Sequence, residues 1–293
     1  MLYDTHCHPN LAKTKDKNEI IKNFFEQNKE AFLNFIWTNP ISNQEVLELA
    51  NQNKNCYCSI WIHPTDIFDL DLEKEILRME NLIIKEKSPI IPFNKGDKQQ
   101  NKIIAIWECG LDYYWLKPEN DKQIAKYIPE VQQKIIKLKK DLQKIFFKAQ
   151  IELAKKYNLP VIIHNRESKD DIFEILKQTN FKNFIFHCYS EDLKYAKKLL
   201  EFSPDCKISF SWIVTFKNAK EVQQTAKNIP LKNILIETDS PYLTPTPFRG
   251  KQENEPSFTK YVLEKIIELR SEEPKEIEKQ IFENSLEVFK IKE

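Results

Sequence analysis

The run Ile103-Ile104-Ala105-Ile106-Trp107-Glu108 decides the fold. Five apolar residues stand in a row with no polar alternation, so both faces of the strand they form must be buried. Strands buried on both faces belong to parallel sheets covered by helices. Similar runs recur along the chain at Leu2–Thr5, Phe32–Trp37, Cys56–Ile62, Pro160–His164, Asn183–His187, Lys207–Trp212 and Ile234–Glu237. Between them lie stretches of helical periodicity, including Ser42–Gln52, Leu72–Lys85, Leu142–Tyr157, Asp170–Lys177, Asp192–Glu201 and Ala219–Lys227. In the third of these, Leu142, Ile145, Phe146, Ala149 and Leu153 recur at helical spacing and leave Lys144 and Lys148 to face out. Eight strands with intervening helices describe an α/β protein, a TIM-type (β/α)8 barrel. A doubly wound open sheet is the alternative arrangement.

A length of 293 residues suits one such barrel, and neither an internal repeat nor a flexible linker divides it. The expectation is one domain over 1–293, with surface insertions near 88–102, rich in Pro, Asn and Gln, and near 117–140, which is charged. In the second insertion, Ile135 and Leu138 hint at a helix that extends the one after it. Lys and Arg number 45 against 44 Asp and Glu, so the net charge of +1 excludes binding driven by bulk charge. No apolar run reaches the ~18–20 residues a bilayer span needs. Met1-Leu2-Tyr3-Asp4 carries neither a basic nor an apolar leader segment, and six cysteines without a regular framework fit reduced thiols, so a cytoplasmic location is expected. Cys7, Cys109 and Cys188 adjoin candidate ligands and Cys56-Tyr57-Cys58 is a close pair, but zinc sites prefer longer spacings; buried inert thiols are the better reading.

The chemistry lies in the histidines. The chain has five, His6, His8, His63, His164 and His187, each at or just beyond the C-terminal end of a strand candidate. In a barrel those ends converge on one face, where the βα loops build active sites. His6 and His8 stand two apart on an extended chain, on one side of it, so both can reach one ion. Two carboxylates follow the same pattern: Glu108 ends its apolar run, and Asp239 follows Ile234-Leu235-Ile236-Glu237-Thr238. An ionised carboxylate at the end of a buried strand is costly unless it is paired or binds a cation. Four histidines and two carboxylates around one mouth suit two divalent ions bridged by an acid, the arrangement that serves hydrolytic displacement. Imidazole and carboxylate ligands suit Zn, Mn or Fe, and Mg with weaker occupancy.

The motifs extend this pattern along the chain. Asp4-Thr5-His6-Cys7-His8, Ile62-His63-Pro64, Glu108-Cys109-Gly110-Leu111-Asp112-Tyr113-Tyr114, Pro160-Val161-Ile162-Ile163-His164-Asn165-Arg166-Glu167, His187-Cys188-Tyr189-Ser190, Ile213-Val214-Thr215-Phe216-Lys217-Asn218-Ala219 and Glu237-Thr238-Asp239-Ser240-Pro241-Tyr242-Leu243 stand in order. With Arg249-Gly250-Lys251 and Asn254-Glu255-Pro256 they resemble the TatD family of metal-dependent hydrolases, from Asp4 to Pro256. The resemblance implies a barrel of the amidohydrolase superfamily and a deoxyribonuclease activity. It implies a first metal on His6, His8, Glu108 and Asp239, and a second on Glu108, His164 and His187, with Glu108 bridging. Two divalent cations (Mg, Mn or Zn) are the expected cofactors.

In such a site Asp239 is the natural acceptor of the water's proton, and His63, outside the ligand set of the resemblance, is assigned to the phosphate or the leaving group. Arg166 and Arg249 offer planar forks for phosphate oxygens. Tyr113 and Tyr114 can stack on a base or pack in the core. DNA is the expected substrate, with no membrane and no obligate protein partner. The alternatives are a hydrolase of another bond, such as the ester of D-aminoacyl-tRNA, and a nucleic-acid binding protein with a vestigial site.

Glycine is scarce: three residues, where average usage of ~7% gives roughly 20. Where this chain has Trp37, Trp61, Trp107 and Trp212, the pattern it resembles carries Gly, before Thr38, near His63, before Glu108 and before Ile213. Gly serves places where backbones approach closely, and Trp is the bulkiest replacement. The reading is that the gene comes from a lineage in which UGA encodes glycine, and that these codons appear here as tryptophan. The alternative is a barrel mouth repacked around indoles. Trp115 is a different case, since aromatic residues occur naturally after the paired tyrosines.

Overall fold

Eight strands hydrogen-bond in chain order, every neighbouring pair parallel, in a computed structural model that describes residues 1–36, 43–60, 62–87 and 101–292. They are β1 (Tyr3–Cys7), β2 (Phe32–Ile36), β3 (Cys56–Ile60), β4 (Ile103–Asp112), β5 (Val161–Arg166), β6 (Phe184–Phe186), β7 (Lys207–Phe210) and β8 (Ile234–Ile236). The ring closes where Cys7 bridges Ser240, with the Asp239 N–H donating to the His6 carbonyl at 3.0 Å and the His8 N–H to the Ser240 carbonyl at 2.8 Å. The fold is a TIM-type (β/α)8 barrel, and the doubly wound alternative is excluded by that closure. Around it run α1 (Lys17–Gln27), α2 (Asn43–Asn51), α3 (Leu72–Lys87), α4 (Pro129–Tyr157), α5 (Lys169–Thr179), α6 (Leu193–Phe202), α7 (Lys220–Asn228), α8 (Thr259–Leu269) and α9 (Pro274–Phe289). None of these helices is long and apolar enough to cross a membrane.

The core has two parts because each strand is covered on both faces. One cluster joins the strands to the surrounding helices, through residues such as Leu33, Ile60, Ile106, Phe147 and Ile208. The other gathers Tyr3, Ile36, Tyr57, Ile104, Trp107, Ile162, Ile185 and Leu235 with Phe282, Val288 and Phe289 from α9. Tyr3 meets Phe289 at 5.7 Å and Phe32 meets Phe282 at 5.6 Å between ring centroids. The last helix therefore packs on residues at the starts of β1 and β2, leaving the strands' C-terminal ends for the histidines.

Two differences from the sequence reading have physical causes. β4 runs four residues past Glu108, because after a register shift between Ile106 and Cys109 it keeps pairing with β5 as far as Asp112 and Arg166. The buried stripe of α4 is also rotated: Ile145 is exposed, and the covered residues are Gln143, Phe146, Phe147, Gln150, Ile151, Leu153 and Ala154. Two glutamines win those places by satisfying strand backbone. Gln143 exchanges two hydrogen bonds of 3.0 Å with the Asp112 peptide groups, and Gln150 accepts from the Ile62 N–H at 3.1 Å and donates to its carbonyl at 3.3 Å. They stand seven residues apart, about two helical turns, so one helix face clamps the chain beyond β3 and at the end of β4. As the sequence reading held, α4 reaches back into the 117–140 segment, starting at Pro129. The ends of the second and third strand candidates at Trp37 and Trp61, Ser42 before α2, and residues 88–100 of the first insertion lie outside the described residues.

Candidate metal centre

All five histidines reach one end of the barrel: His6 in β1, His8 just after it, His63 three residues past β3, His164 in β5 and His187 directly after β6. They form two adjoining groups. In the first, His6 Nε2 and His8 Nε2 are 2.8 Å apart, and Asp239 Oδ1 lies 3.3 and 3.6 Å from them. His8 Nδ1 is 3.0 Å from the Ile36 carbonyl, a bond that puts the ring proton on Nδ1 and leaves the Nε2 lone pair facing the group. Burial, with His187, His8 and His164 nearby, holds His6 well below the ordinary histidine range, so it is a neutral ligand-type imidazole. Asp239 is brought in by a left-handed backbone, φ 56°, a conformation that non-glycine residues keep only where the surroundings impose it. Here the surroundings are the Asp239 N–H bond to His6 and a buried Asp4, which accepts from the Thr238 N–H at 2.8 Å and hydroxyl at 2.6 Å. Burial raises the Asp4 carboxyl to about 8 despite those bonds.

The second group centres on Glu108. Its Oε1 lies 2.7 Å from His164 Nδ1 and 3.8 Å from His187 Nε2, and its Oε2 lies 3.8 Å from His63 Nε2. Burial would raise this carboxyl, but His63, His164 and His187 outweigh it and hold Glu108 well below the usual carboxylate range. The converse holds for His164: burial pushes it down, while the Glu108 and Asp112 carboxylates carry it up to about 10. Glu108 and His164 are therefore an ion pair when no cation intervenes. The His6 and His187 rings stack at 4.0 Å and 26° and join the two groups.

These donors fit divalent ions. Two imidazole Nε2 atoms and a carboxylate oxygen converge within 3.6 Å of one another in the first group, and a carboxylate and imidazoles in the second, the donor types of zinc, manganese and related cations. Two imidazole Nε2 atoms 2.8 Å apart, with a carboxylate oxygen beside them, can turn their lone pairs onto one cation.

Two further residues belong to the site and were not singled out from the sequence, and a third, Cys188, departs from the buried-thiol reading. Asp112 sits 3.2 Å from His164 Nε2, and Glu237 sits 2.7 Å from His187 Nδ1. Asp112 had a signal: Glu108, Gly110 and Asp112 share one face of a strand, two apart. Cys188 is the one cysteine that is not buried; it lines the cleft with its backbone at φ 41°, and His187, Cys188 and Asp239 form another group of close donors. The other five thiols are buried and free.

A family model described as TatD related DNase matches residues 3–290. The chain belongs to the TatD family. It is 34% identical to the uncharacterized metal-dependent hydrolase YabD of Bacillus subtilis, over 99% of this chain and 100% of that one. It is 31% identical to the uncharacterized metal-dependent hydrolase MG009 of Mycoplasma genitalium, over 98% of each. In fold it is similar to the crystal structure of YJJV, a TatD homolog from Escherichia coli K12, with a TM-score of 0.78 and 21% identity across 99% of this chain and 98% of that one.

Within this TatD-family barrel a cleft of about 650 Å³ opens over the metal centre. His8, His63, Glu108, His164, His187 and Asp239 line it. His63 is fixed by Thr65, whose N–H donates to Nδ1 at 3.2 Å and whose hydroxyl lies 2.5 Å from the same atom. Burial lowers His63 to about 4, so it stands neutral in the cleft. Arg166 also lines the cleft, its guanidinium 3.9 Å over the Tyr114 ring and 5.4 Å from Trp115. Arg249 does not: it is exposed and stacks on Phe216 at 3.8 Å. Tyr113 is buried, its hydroxyl donating to Asp171 at 2.6 Å, so of the paired tyrosines it has the packing role. Trp107 is wholly buried, edge-on to His6 at 3.8 Å and to His187 at 4.4 Å, and its Nε1 has no partner among the described residues; the buried Nε1 of Trp212, on the cleft wall, has none there either. Trp37 and Trp61 lie outside the described residues.

Proposed function

We propose that this TatD-family hydrolase cleaves phosphodiester bonds of DNA with two divalent ions. The ions would sit on His6, His8, Asp239 and Glu108, and on Glu108, His164 and His187, with Glu108 shared. The observation that carries the reading is the convergence of His8, Asp239, Glu108, His164 and His187 on one cleft that also presents Arg166, with the buried His6 in contact with His8 and Asp239. Bound there, divalent cations supply a lowered pKa for the attacking water and polarisation of a phosphoryl oxygen.

The chain's own residues do the rest. Asp239, partly open to the cleft, accepts the proton of the attacking water at its carboxylate. His63 presents Nε2 to the cleft; an Nδ1 that accepts the Thr65 N–H keeps the ring proton on Nε2, which makes it a donor to a phosphate oxygen or the departing alkoxide. Arg166 binds a neighbouring phosphate with its planar fork, and its stack on Tyr114 holds that fork in place. Trp115 and Tyr242, half exposed on the cleft wall, offer faces on which unpaired bases stack. The family model's description as a DNase agrees with this substrate.

The test is a substrate panel of single-stranded DNA, duplex DNA, D-aminoacyl-tRNA and simple esters, each with Mg, Mn, Zn or a chelator. The expected result is DNA cleavage that stops with chelator and returns with metal. Hydrolysis of aminoacyl-tRNA or an ester, with none of DNA, would replace this reading by that of a carbonyl-ester hydrolase.

A further inference from the structure

Glu237 follows β8 directly and is 1% exposed, in the wall from which the metal ligands project. Its two oxygens address different partners. Oε1 accepts the Cys188 N–H at 2.8 Å and lies 2.7 Å from His187 Nδ1. Oε2 accepts the Ser209 hydroxyl at 2.7 Å and lies 4.0 Å from His6 Nδ1. Among the described residues neither His6 Nδ1 nor His187 Nδ1 has a hydrogen-bond partner in good geometry, both are buried, and this carboxylate lies within 4.0 Å of each. The opposite nitrogens of the two rings point away from Glu237: His6 Nε2 lies 3.3 Å from Asp239 and His187 Nε2 lies 3.8 Å from Glu108. The stacked rings thus turn their backs to one acid and their fronts to two others.

We propose that Glu237 is a positioning residue shared by both metals: one buried carboxylate faces the Nδ1 atoms of His6 and His187 and favours the ring protons on that side, so that each ring offers its Nε2 lone pair to a different ion. A buried anion facing two imidazole backs fixes their tautomers, and its negative charge makes both ligands more basic. The Ser209 hydroxyl and Cys188 N–H satisfy the carboxylate from its other sides and keep it from swinging towards the ions. The arrangement couples the two sites, since one side chain sets a ligand of each. A purely structural acid would be content with Ser209 and Cys188 and would have no reason to sit against both rings.

The inference rests on the reading that His6 and His187 are metal ligands, and not on DNA being the substrate. The experiment is therefore titration of the apoprotein with Mn(II) and Zn(II) by calorimetry, with the visible spectrum of the Co(II)-loaded protein as a second readout. Glu237→Gln keeps the side chain's shape but removes the negative charge that both rings face, so both Nε2 lone pairs become weaker donors. Glu237→Asp keeps the charge but withdraws it from the rings, and it decides the matter if the glutamine variant does not fold. The expected result is a loss of ~10–100-fold in affinity at both sites, with altered Co(II) bands and unchanged circular dichroism. Two sites with wild-type affinity in a folded variant would overturn the proposal, and weakening at one site alone would overturn the sharing. If the wild-type protein bound no metal at all, the ligand reading itself would fall.

Discussion

Gly110 lies beside His164 in the register of β4 and β5, and a Cβ at position 110 would fall 2.1 Å from the His164 carbonyl oxygen. The residue also has φ +145°, a conformation open to glycine and strained for any other side chain. Glycine here lets β5 come close enough for the His164 ring to meet Glu108 on the neighbouring strand. The obstructing atom is backbone, so nothing can swing aside. Gly110→Ala should therefore cost about 3 kcal/mol or more in denaturant unfolding and lower metal content together, because the same shift moves His164. A variant with native stability and full metal content would show that the strand pair tolerates the extra carbon.

Glu108→Ala removes an acid that three imidazoles face. It should abolish turnover and reduce bound metal, because the carboxylate is proposed to serve both ions. Metal stoichiometry by elemental analysis is the check: an unchanged value would refute the bridging role. His164 would keep Asp112 as its one carboxylate partner among the described residues, so its raised pKa should fall in the same variant, which NMR titration of the apoprotein can follow.

Asp239→Asn keeps the shape but removes the proton acceptor and an anionic ligand. The rate of hydrolysis should drop by at least the ~10²–10⁴ typical of a positioned general base. Near-normal hydrolysis would take Asp239 out of the mechanism. The left-handed backbone at this residue should survive the change, since its N–H bond to the His6 carbonyl is untouched.

Much of this site was legible because its chemistry sits on strands. An apolar run ending in Glu108, and histidines placed at the ends of others, announce a barrel mouth before any coordinates. What was hidden depends on partners far away in sequence. Glu237 reads as the polar end of a strand until His6 and His187 are folded onto it. Gln143 and Gln150 are absent from the apolar stripe read for α4, and Ile145 is in it, because helical periodicity counts apolar side chains and cannot register chain segments whose peptide groups need an amide. Arg249 and Arg166 read alike as planar forks, and both stack on a ring; only the folded chain places the Arg166 stack on the cleft and the Arg249 stack on Phe216 outside it.

Asp121 ties down the segment before α4. It accepts from the Gln123 and Ile124 N–H groups at 2.8 and 3.2 Å and pairs with Lys139 at 2.9 Å. Burial would raise its carboxyl, but Lys139 and the two N–H groups outweigh that and depress it. A folded-state pKa below the unfolded one adds stability that is present above the unfolded value, near 4, and is lost as pH falls through the depressed value. Apoprotein melting temperature should drop through this acid range, and Asp121→Asn should make the drop shallower while lowering stability at neutral pH. A variant whose acid limb matches the wild type would assign the loss to other carboxylates.

The tryptophans make a prediction about the gene. Trp107 and Trp212 each bury an indole N–H with no partner among the described residues, and Trp107 does so wedged against His6 and His187. A buried donor left unpaired costs about 1–3 kcal/mol, and the large majority of buried side-chain polar atoms in native proteins find partners. Two unpaired indoles beside a metal centre, in a chain with only three glycines, point to small residues at these places. The chain's resemblance to the TatD pattern names the small residue as glycine at positions 37, 61, 107 and 212. The expected finding is UGA at all four codons, in a genome that reads it as glycine, with the protein from its own host lighter by four tryptophan-to-glycine differences in intact mass. Trp107→Gly in recombinant protein should then raise metal affinity and melting temperature, since it frees the space between two ligands and removes an unpaired donor. UGG codons at these positions would end the idea. In that case the indoles belong to the core, and Trp107→Gly should open a cavity and destabilise the protein by about 3–5 kcal/mol, the opposite sign.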